Sequence, residues 1–475
     1  MKVCVLQPSY EGTTIDYQYY DPPRDLSGLL PRDQVDHVFL RKATTFRQIR
    51  DLRKMGYDIY VNLCEGYPEW EIPSIDVIHA LEHFNLPYTG PTPQIYDPPK
   101  ELMKLVAYSE GVKTPAFVLA EDLAEARLAS RELRFPLFVK PHEAGDSLGI
   151  DSRSLVRNER ELEEKVSALL EEFDKALIEE FIPGREFTVL VAANPSDAKK
   201  PYAYLPIEFL FPEGEQFKTY DLKVRQHHPE CNVPCLDPEL AEWLKEAARK
   251  VFVGFSGVGY GRVDLRLSEN DGELYFLEIN FTSSVFYPAG SEGSADYILQ
   301  HDGIGQAGFL RHIIEEGIAR HRRRQKKYEV RPDALHGYGI YALRDVRRGE
   351  VIFAGEERAQ RIVTRSFVEA NWSESEREVF SRYAYPVSEE VYILWDPEPA
   401  NWAPQNHSCD PNTEFQGLDV IARRKILKGE ELTLDYSTFC NEEMEEFDCD
   451  CGARRCRRKI RGQPFNGINA RVLAT

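Results

Sequence analysis

Two short pairs, Arg262-x-Asp264 and Glu278-x-Asn280, carry the densest chemistry in this sequence. At a spacing of two on a strand, both members of a pair lie on one face. If the strands adjoin as a hairpin, an Asp, a Glu and an Asn carbonyl converge. These are hard oxygen donors suited to Mg²⁺ held together with nucleotide phosphates. Arg262 beside them would stabilise developing negative charge. An ordinary hairpin laced with ion pairs would use the same residues. Upstream, Phe138-Val139-Lys140-Pro141 sets a lysine at a strand end, and the loop Ala144–Gly149 follows. Backbone N–H groups of a Gly/Ser loop can wrap phosphate oxygens, although the loop lacks the Walker pattern and by itself is compatible with a plain turn. Near the C-terminus, Cys449-x-Cys451 and Cys456 provide three thiols. Cys409 would complete a tetrahedral Cys₄ zinc site, its charge offset by Arg454, Arg455, Arg457 and Arg458.

The elements that must position these groups alternate along the first half. Val3–Leu6 and Asp58–Leu63 read as buried strands with a helix at Phe46–Met55 between them, a βαβ unit. Helices are expected at Glu101–Glu110, Asn158–Glu172, Pro238–Phe252 and Ala307–Ile318. Strands are expected at Leu137–Lys140, Ala176–Glu180, Gly261–Leu267 and Leu274–Asn280. Asn270-Asp271-Gly272 is a turn signal between the last two. The basic run Arg320–Arg324 with Lys326-Lys327 reads as a cationic helix end and linker rather than a nucleic-acid patch. Beyond it, short strands and glycine turns dominate.

The chain has 475 residues, 42% hydrophobic and 29% charged, with a net charge of -20. That length implies two to four folding units. The acidic balance disfavours nonspecific binding to nucleic acid or anionic membrane. The first residues lack a signal peptide's apolar core, and no run is long enough to span a bilayer, so a cytoplasmic location is expected. Of the nine cysteines, Cys4, Cys64, Cys231, Cys235 and Cys440 have no metal-like setting. In a reducing compartment the remaining four suit a metal better than disulfides.

With Leu177–Thr188 added, residues 1–325 resemble the ATP-grasp superfamily, in its D-alanine–D-alanine ligase-like branch. The resemblance is carried, in order, by Asn62–Gly66, Pro87–Gly90, Lys100, Lys140, the Gly loop, Glu179 and Glu186, Lys223, Arg262 and Asp264, and Glu278 and Asn280. It implies a multidomain α/β (α+β) fold, with a Rossmann-like subdomain at 1–95 and an ATP-grasp domain at 96–325. It further implies that Lys100 and Lys140 hold ATP phosphates and that Gly145–Gly149 closes over them, with Ser147 near the reacting groups. Glu179 and the backbone at Phe181 and Ile182 would meet adenine, Glu186 the ribose, and Lys223 the γ-phosphate side. Asp264, Glu278 and Asn280 would bind two Mg²⁺. The implied reaction activates a carboxylate as an acylphosphate for attack by an amine. The chain departs from the family where substrates bind: at Pro8–Gly12 with Glu11, at Glu65 in place of a histidine, and at Phe281–Ser284 with Ser283 and Ser284. A pair other than D-alanine twice is therefore expected.

Residues 328–462 resemble a SET domain with its post-SET tail, through Gly337-Tyr338-Gly339, Asn406-His407-Ser408-Cys409, Asp435-Tyr436 and the cysteine triplet. The resemblance implies a mostly β domain at 326–448 and a zinc-binding tail at 449–475. Gly337, Gly339, Asn406 and His407 would cradle S-adenosylmethionine, and Tyr436 would line the methyl-transfer path. Phe353 replaces a channel tyrosine. Three readings follow: a ligase with an N-methyltransferase, a ligase with a SET module for binding or assembly, and a protein-lysine methyltransferase with a nucleotide-sensing grasp domain. Expected partners are amino-acid-like carboxylates and amines, with no nucleic acid or membrane and with a homodimer left open.

Overall fold

A computed structural model describes residues 1–14, 21–143, 145, 147–219, 229–333, 337–354, 360–395, 405–442, 444 and 446–464. The chain divides into two compact units, Met1–Arg324 and Gln325–Thr475. Among the described residues no helix is long and apolar enough to cross a membrane.

The first unit opens on a parallel sheet in which Lys2–Pro8 lies between Gln34–Leu40 and Ile59–Asn62. The strand Gln34–Leu40 corrects the sequence expectation. The helix Thr45–Leu52 connects it, not the first strand, to Ile59–Asn62. Its residues Gln34, Asp36 and His37 break the apolar run that marks a buried strand, and as an edge strand it is buried fully only at Leu40.

A four-stranded sheet follows, ordered Phe117–Ala120, Ala176–Glu180, Leu137–Pro141, Leu155–Val156. The helices Leu123–Glu132 and Glu159–Leu170 pack on it through Ala126, Ala129, Leu162, Val166 and Leu169. A six-stranded antiparallel sheet carries Gly184–Ala192, Tyr260–Ser268 and Leu274–Asn280 side by side. The helix Pro238–Gly254 covers one face. Its buried residues Leu240, Leu244, Ala247, Val251 and Phe252 recur at helical spacing and meet Val189, Val263, Leu265 and Phe276. Alternation along the strands sends their other residues to the opposite face. The helix Gly305–Arg324 ends on the basic run. Arg320 there is buried and donates to the carbonyls of Gly90 at 2.8 Å and Tyr88 at 2.7 Å.

The second unit is built of short strands. Val351–Phe353, Asp419–Ala422 and Thr413–Gln416 form one sheet, and Asn406–His407 runs parallel to Thr433–Leu434. Its core includes Ile340, Ile352, Phe353, Val420, Ile426 and Leu432. Phe353 is buried with its ring 4.4 Å from that of Tyr328.

Candidate active sites

In the first unit the strand register pairs Arg262 with Asn280 and Asp264 with Glu278 across the hairpin. On the other side Asp264 pairs with Thr188 and Arg266 with Glu186. Directly opposed residues share a face, so a polar surface forms opposite the helix-covered one. Arg262 Nε lies 3.4 Å from Asp264 Oδ1, and Asn280 Nδ2 lies 3.4 Å from Glu278 Oε1. The pairing is interrupted once: Asp264 faces Glu278 while Leu265 faces Phe276, leaving Leu277 as an extra, bulged residue. A bulge of this kind re-aims the side chains beside it. The adjacent apolar residues Phe276 and Leu277, breaking an alternating strand, were the sequence signal for it.

The neighbouring sheet contributes Lys140 and Glu179. Lys140 Nζ lies 2.8 Å from Glu179 Oε1, and Lys104, fully buried, contacts the other oxygen. Burial pushes the Glu179 carboxyl up, but Lys104 and Lys140 more than offset this and hold it below its usual range. Burial lowers Lys104 to about 8 against the pull of Glu179. Lys100 is buried too, and burial lowers it despite Glu278 nearby. Glu186 is held by Arg266 at 3.1 Å and Lys218 at 3.0 Å. The Arg266 guanidinium sits 4.9 Å over the Phe181 ring and donates to the Ile182 carbonyl at 2.8 Å. Lys104, Arg266 and Lys218 were missed from sequence. A lysine four residues after Lys100, on the same helix face, was the available sign for the first.

Gly145 approaches Tyr67 so closely that a Cβ would stand 2.1 Å from its hydroxyl. Ser147 and Gly149 take positive φ of 57° and 73°. Lys223 lies outside the described residues. Glu11 contacts Arg41 at the surface, away from any partner in the Glu179 or Asp264 clusters. Glu65 accepts a hydrogen bond from Ser284 at 2.6 Å, and Ser283 is buried.

In the second unit the four thiols of Cys409, Cys449, Cys451 and Cys456 lie within 4.8 Å of one another, with Cys409 and Cys449 at 3.9 Å. A tetrahedral zinc with ~2.3 Å bonds needs sulfurs ~3.8 Å apart, so this donor set fits the ion. Arg457 is the arginine placed to offset its charge, with Nε 3.5 Å from Cys409 Sγ. The Tyr436 amide donates to His407 Nδ1 at 3.2 Å. A backbone amide can only donate, so His407 carries its proton on Nε2, which lies 3.4 Å from Cys409 Sγ. Burial lowers the His407 pKa against the pull of Asp435. The Tyr436 hydroxyl donates to the Gln405 carbonyl at 2.6 Å. Asn406 Nδ2 donates to Glu431 at 2.8 Å. A Cβ on Gly339 would stand 2.6 Å from that same Glu431 carboxylate, so only glycine leaves the pair room. The Gly337 backbone forms the start of the same strand. Gln405 carried no recognisable sequence signal, whereas Glu431 lies in the segment Glu430–Tyr436 that stands out in the sequence, though its pairing with Asn406 was not foreseen.

Comparison with known proteins matches two family models, "D-ala D-ala ligase C-terminus" over residues 109–292 and "SET domain" over 337–437. The D-alanine–D-alanine ligase of Solibacter usitatus is 32% identical over 254 residues, 52% of this chain and 73% of that protein. The ligase of Marinomonas sp. is 32% identical over 203 residues, where this chain spans 61% of its length. The solved D-alanine–D-alanine ligase of Coxiella burnetii shares the fold with a TM-score of 0.50 and 19% identity, over 69% of this chain and 97% of that one. The polar hairpin face and its flanking lysines thus stand within an ATP-grasp fold, and the chain, which continues into a SET domain, belongs to the D-alanine–D-alanine ligase family.

Proposed function

We propose that residues 1–325 act as an ATP-dependent ligase joining a carboxylate to an amine, and that the SET region is an S-adenosylmethionine-dependent N-methyltransferase. Within this reading residues 1–95 form the Rossmann-like subdomain, 96–325 the ATP-grasp domain, 326–448 the SET domain and 449–475 its zinc-binding tail. The observation that carries the ligase is the register setting Arg262, Asp264, Glu278 and Asn280 on one face of adjoining strands.

Asp264, Glu278 and Asn280 offer the hard donors that two Mg²⁺ would take, and the ions would supply charge neutralisation for the phosphates. Lys100 and Lys140 would bind phosphate oxygens. Glu179, between Lys104 and Lys140, would fix the Lys140 ammonium. The loop at Gly145–Gly149 would cover the nucleotide, with Ser147 at its turn. Glu186, held by Arg266, would meet the ribose, and Arg266 supports the backbone at Phe181 and Ile182 that would meet adenine. A carboxylate oxygen of the substrate attacks the γ-phosphorus of ATP, and ADP leaves. The amine then attacks the acyl carbon, the C–O bond to phosphate breaks with its electron pair, and the amine proton is lost. Arg262 would stabilise the oxyanion of that second step. Positioning supplies the rest, because both steps join bound reactants.

In the second unit Gly337, Gly339, Asn406 and His407 would line the methyl donor's pocket. Tyr436, fixed by Gln405 and His407, would orient an amine for in-line displacement. Inorganic phosphate released from ATP by the full chain, over pairs of amino acids and small amines, tests the ligase. Release is expected for at least one pair, with Glu278→Gln reducing kcat at least a hundredfold. Failure of every pair, with ATP bound equally by both proteins, would sink the reading. Label passing from S-adenosylmethionine to the ligation product, lost in Tyr436→Phe, supports catalysis by the SET domain. Ligation with no transfer favours a binding or assembly module instead.

A further inference from the structure

One hydroxyl on the polar face bonds to no group beside it. The strand Gly184–Ala192 runs Phe187-Thr188-Val189-Leu190-Val191, so Thr188 interrupts an otherwise apolar stretch. Phe187 and Val189 enter the core beneath the helix Pro238–Gly254. Alternation therefore sets Thr188 on the opposite face together with Glu186. Glu186 meets the directly opposed Arg266 at 3.1 Å, which fixes that face as the polar one. Thr188 is 2% exposed, and its hydroxyl has no hydrogen-bond partner among the described residues. A buried hydroxyl left unpaired is costly, and valine has nearly the same shape without that cost.

Its neighbours on that face decide what the hydroxyl can meet. Across one flank the register places Ile207, and two residues along the strand stands Leu190. Both are buried in an apolar cluster and offer no side-chain acceptor. Glu186, two residues the other way, is held by Lys218 at 3.0 Å and by Arg266. Across the other flank the register places Asp264. Directly opposed residues on a sheet stand about 5 Å apart at Cβ, which puts a threonine hydroxyl within reach of an aspartate carboxylate. That carboxylate meets Arg262 through two long contacts of 3.4 Å. A metal ion drawing on one of its oxygens would leave the other to be held, and ligating carboxylates are oriented by such outer partners.

Resting on the reading of Asp264 as a Mg²⁺ ligand of the ligase, we propose that Thr188 is a positioning residue of the metal site. Its hydroxyl donates to the Asp264 oxygen that the ion does not take, and so fixes the direction of the carboxylate. The hydroxyl thus destabilises the chain without the ion and strengthens binding of the ion. A purely structural threonine does not produce that opposition.

The test pairs thermal melting with calorimetric binding on the full chain. In buffer free of Mg²⁺ and nucleotide, Thr188→Val should raise the melting transition of the first unit by about 1–2 °C. With a non-hydrolysable ATP analogue as the probe, the Mg²⁺ concentration that half-saturates analogue binding should rise at least tenfold in the same variant. Thr188→Ser, which keeps the hydroxyl, should stay within a factor of three of the wild type. A lowered melting transition in Thr188→Val, or a Mg²⁺ requirement within a factor of two of the wild type, overturns the proposal. Asp264→Asn separates this idea from the ligase reading. If Asp264→Asn raises the Mg²⁺ requirement at least tenfold and Thr188→Val does not, only the role of Thr188 falls. If Asp264→Asn leaves the requirement unchanged, the metal site of the ligase reading falls and the proposal falls with it.

Discussion

Lys104 shows how much of a site can rest on a residue that need not touch a substrate. Its ammonium is fully buried against Glu179, which also holds Lys140. Removing one partner of a buried ion pair leaves the other charge uncompensated, at about 3–5 kcal/mol. Lys104→Met should therefore lower the unfolding free energy of the first unit by about that amount in denaturant titration, and weaken ATP binding as Lys140 loses its fixed partner. Asp296 is a second such residue. It accepts from the amides of Phe286 at 2.8 Å and Gly293 at 3.2 Å and from Gln306 at 2.8 Å, tying down the segment after Ser284. Burial outweighs these bonds and pushes its carboxyl up to about 6 from 3.8. A raised folded-state pKa favours the protonated form. Its stabilising contribution is full below about pH 4 and fades as pH rises through 6, by on the order of 3 kcal/mol. Unfolding titrations at pH 4 and pH 7 should show this loss in the wild type, and Asp296→Asn should flatten it.

Elements were legible in the sequence where one periodicity ruled. Pro238–Gly254 declares itself by an apolar stripe, an Asp237 cap and a proline at its first turn. The hairpin declares itself by Asp271-Gly272, and Gly272 takes the positive φ of 71° that such a turn requires. Gln34–Leu40 stayed hidden because an edge strand need not be apolar. Arg266, the partner of Glu186, stayed hidden because contacts across strands are set by register, which local pattern leaves open. The bulge at Leu277 joins both cases. Without that residue, Leu274, Phe276 and Ile279 would still alternate with Tyr275, Glu278 and Asn280, so the core contacts of the strand would survive. Deleting Leu277 should therefore change the melting temperature little, while the altered aim of Glu278 lowers affinity for Mg²⁺ and ATP at least tenfold by calorimetry. Equal loss of both would show that the bulge serves folding instead.

The molecule as a whole joins two units with different sources of stability. Met1–Arg324 has large apolar clusters drawn from several sheets and helices. Gln325–Thr475 has a smaller core and four clustered thiols. Structural zinc contributes directly to folding in small domains. A chelator should therefore lower the melting transition of the second unit by ten degrees or more while the transition of the first stays in place, as read by calorimetry with and without added Zn²⁺. The position of Cys409 extends this beyond stability. It stands two residues after His407, whose Nε2 lies 3.4 Å from its sulfur, and His407 in turn orients Tyr436. The thiols of Cys4 and Cys64 are buried, and burial holds their pKa high, whereas Cys409, Cys451 and Cys456 are partly exposed. Peroxide reacts with accessible thiolates first. An oxidising insult would thus dismantle the His407–Tyr436 arrangement while sparing the first unit, so the two halves of the chain would differ in their sensitivity to peroxide.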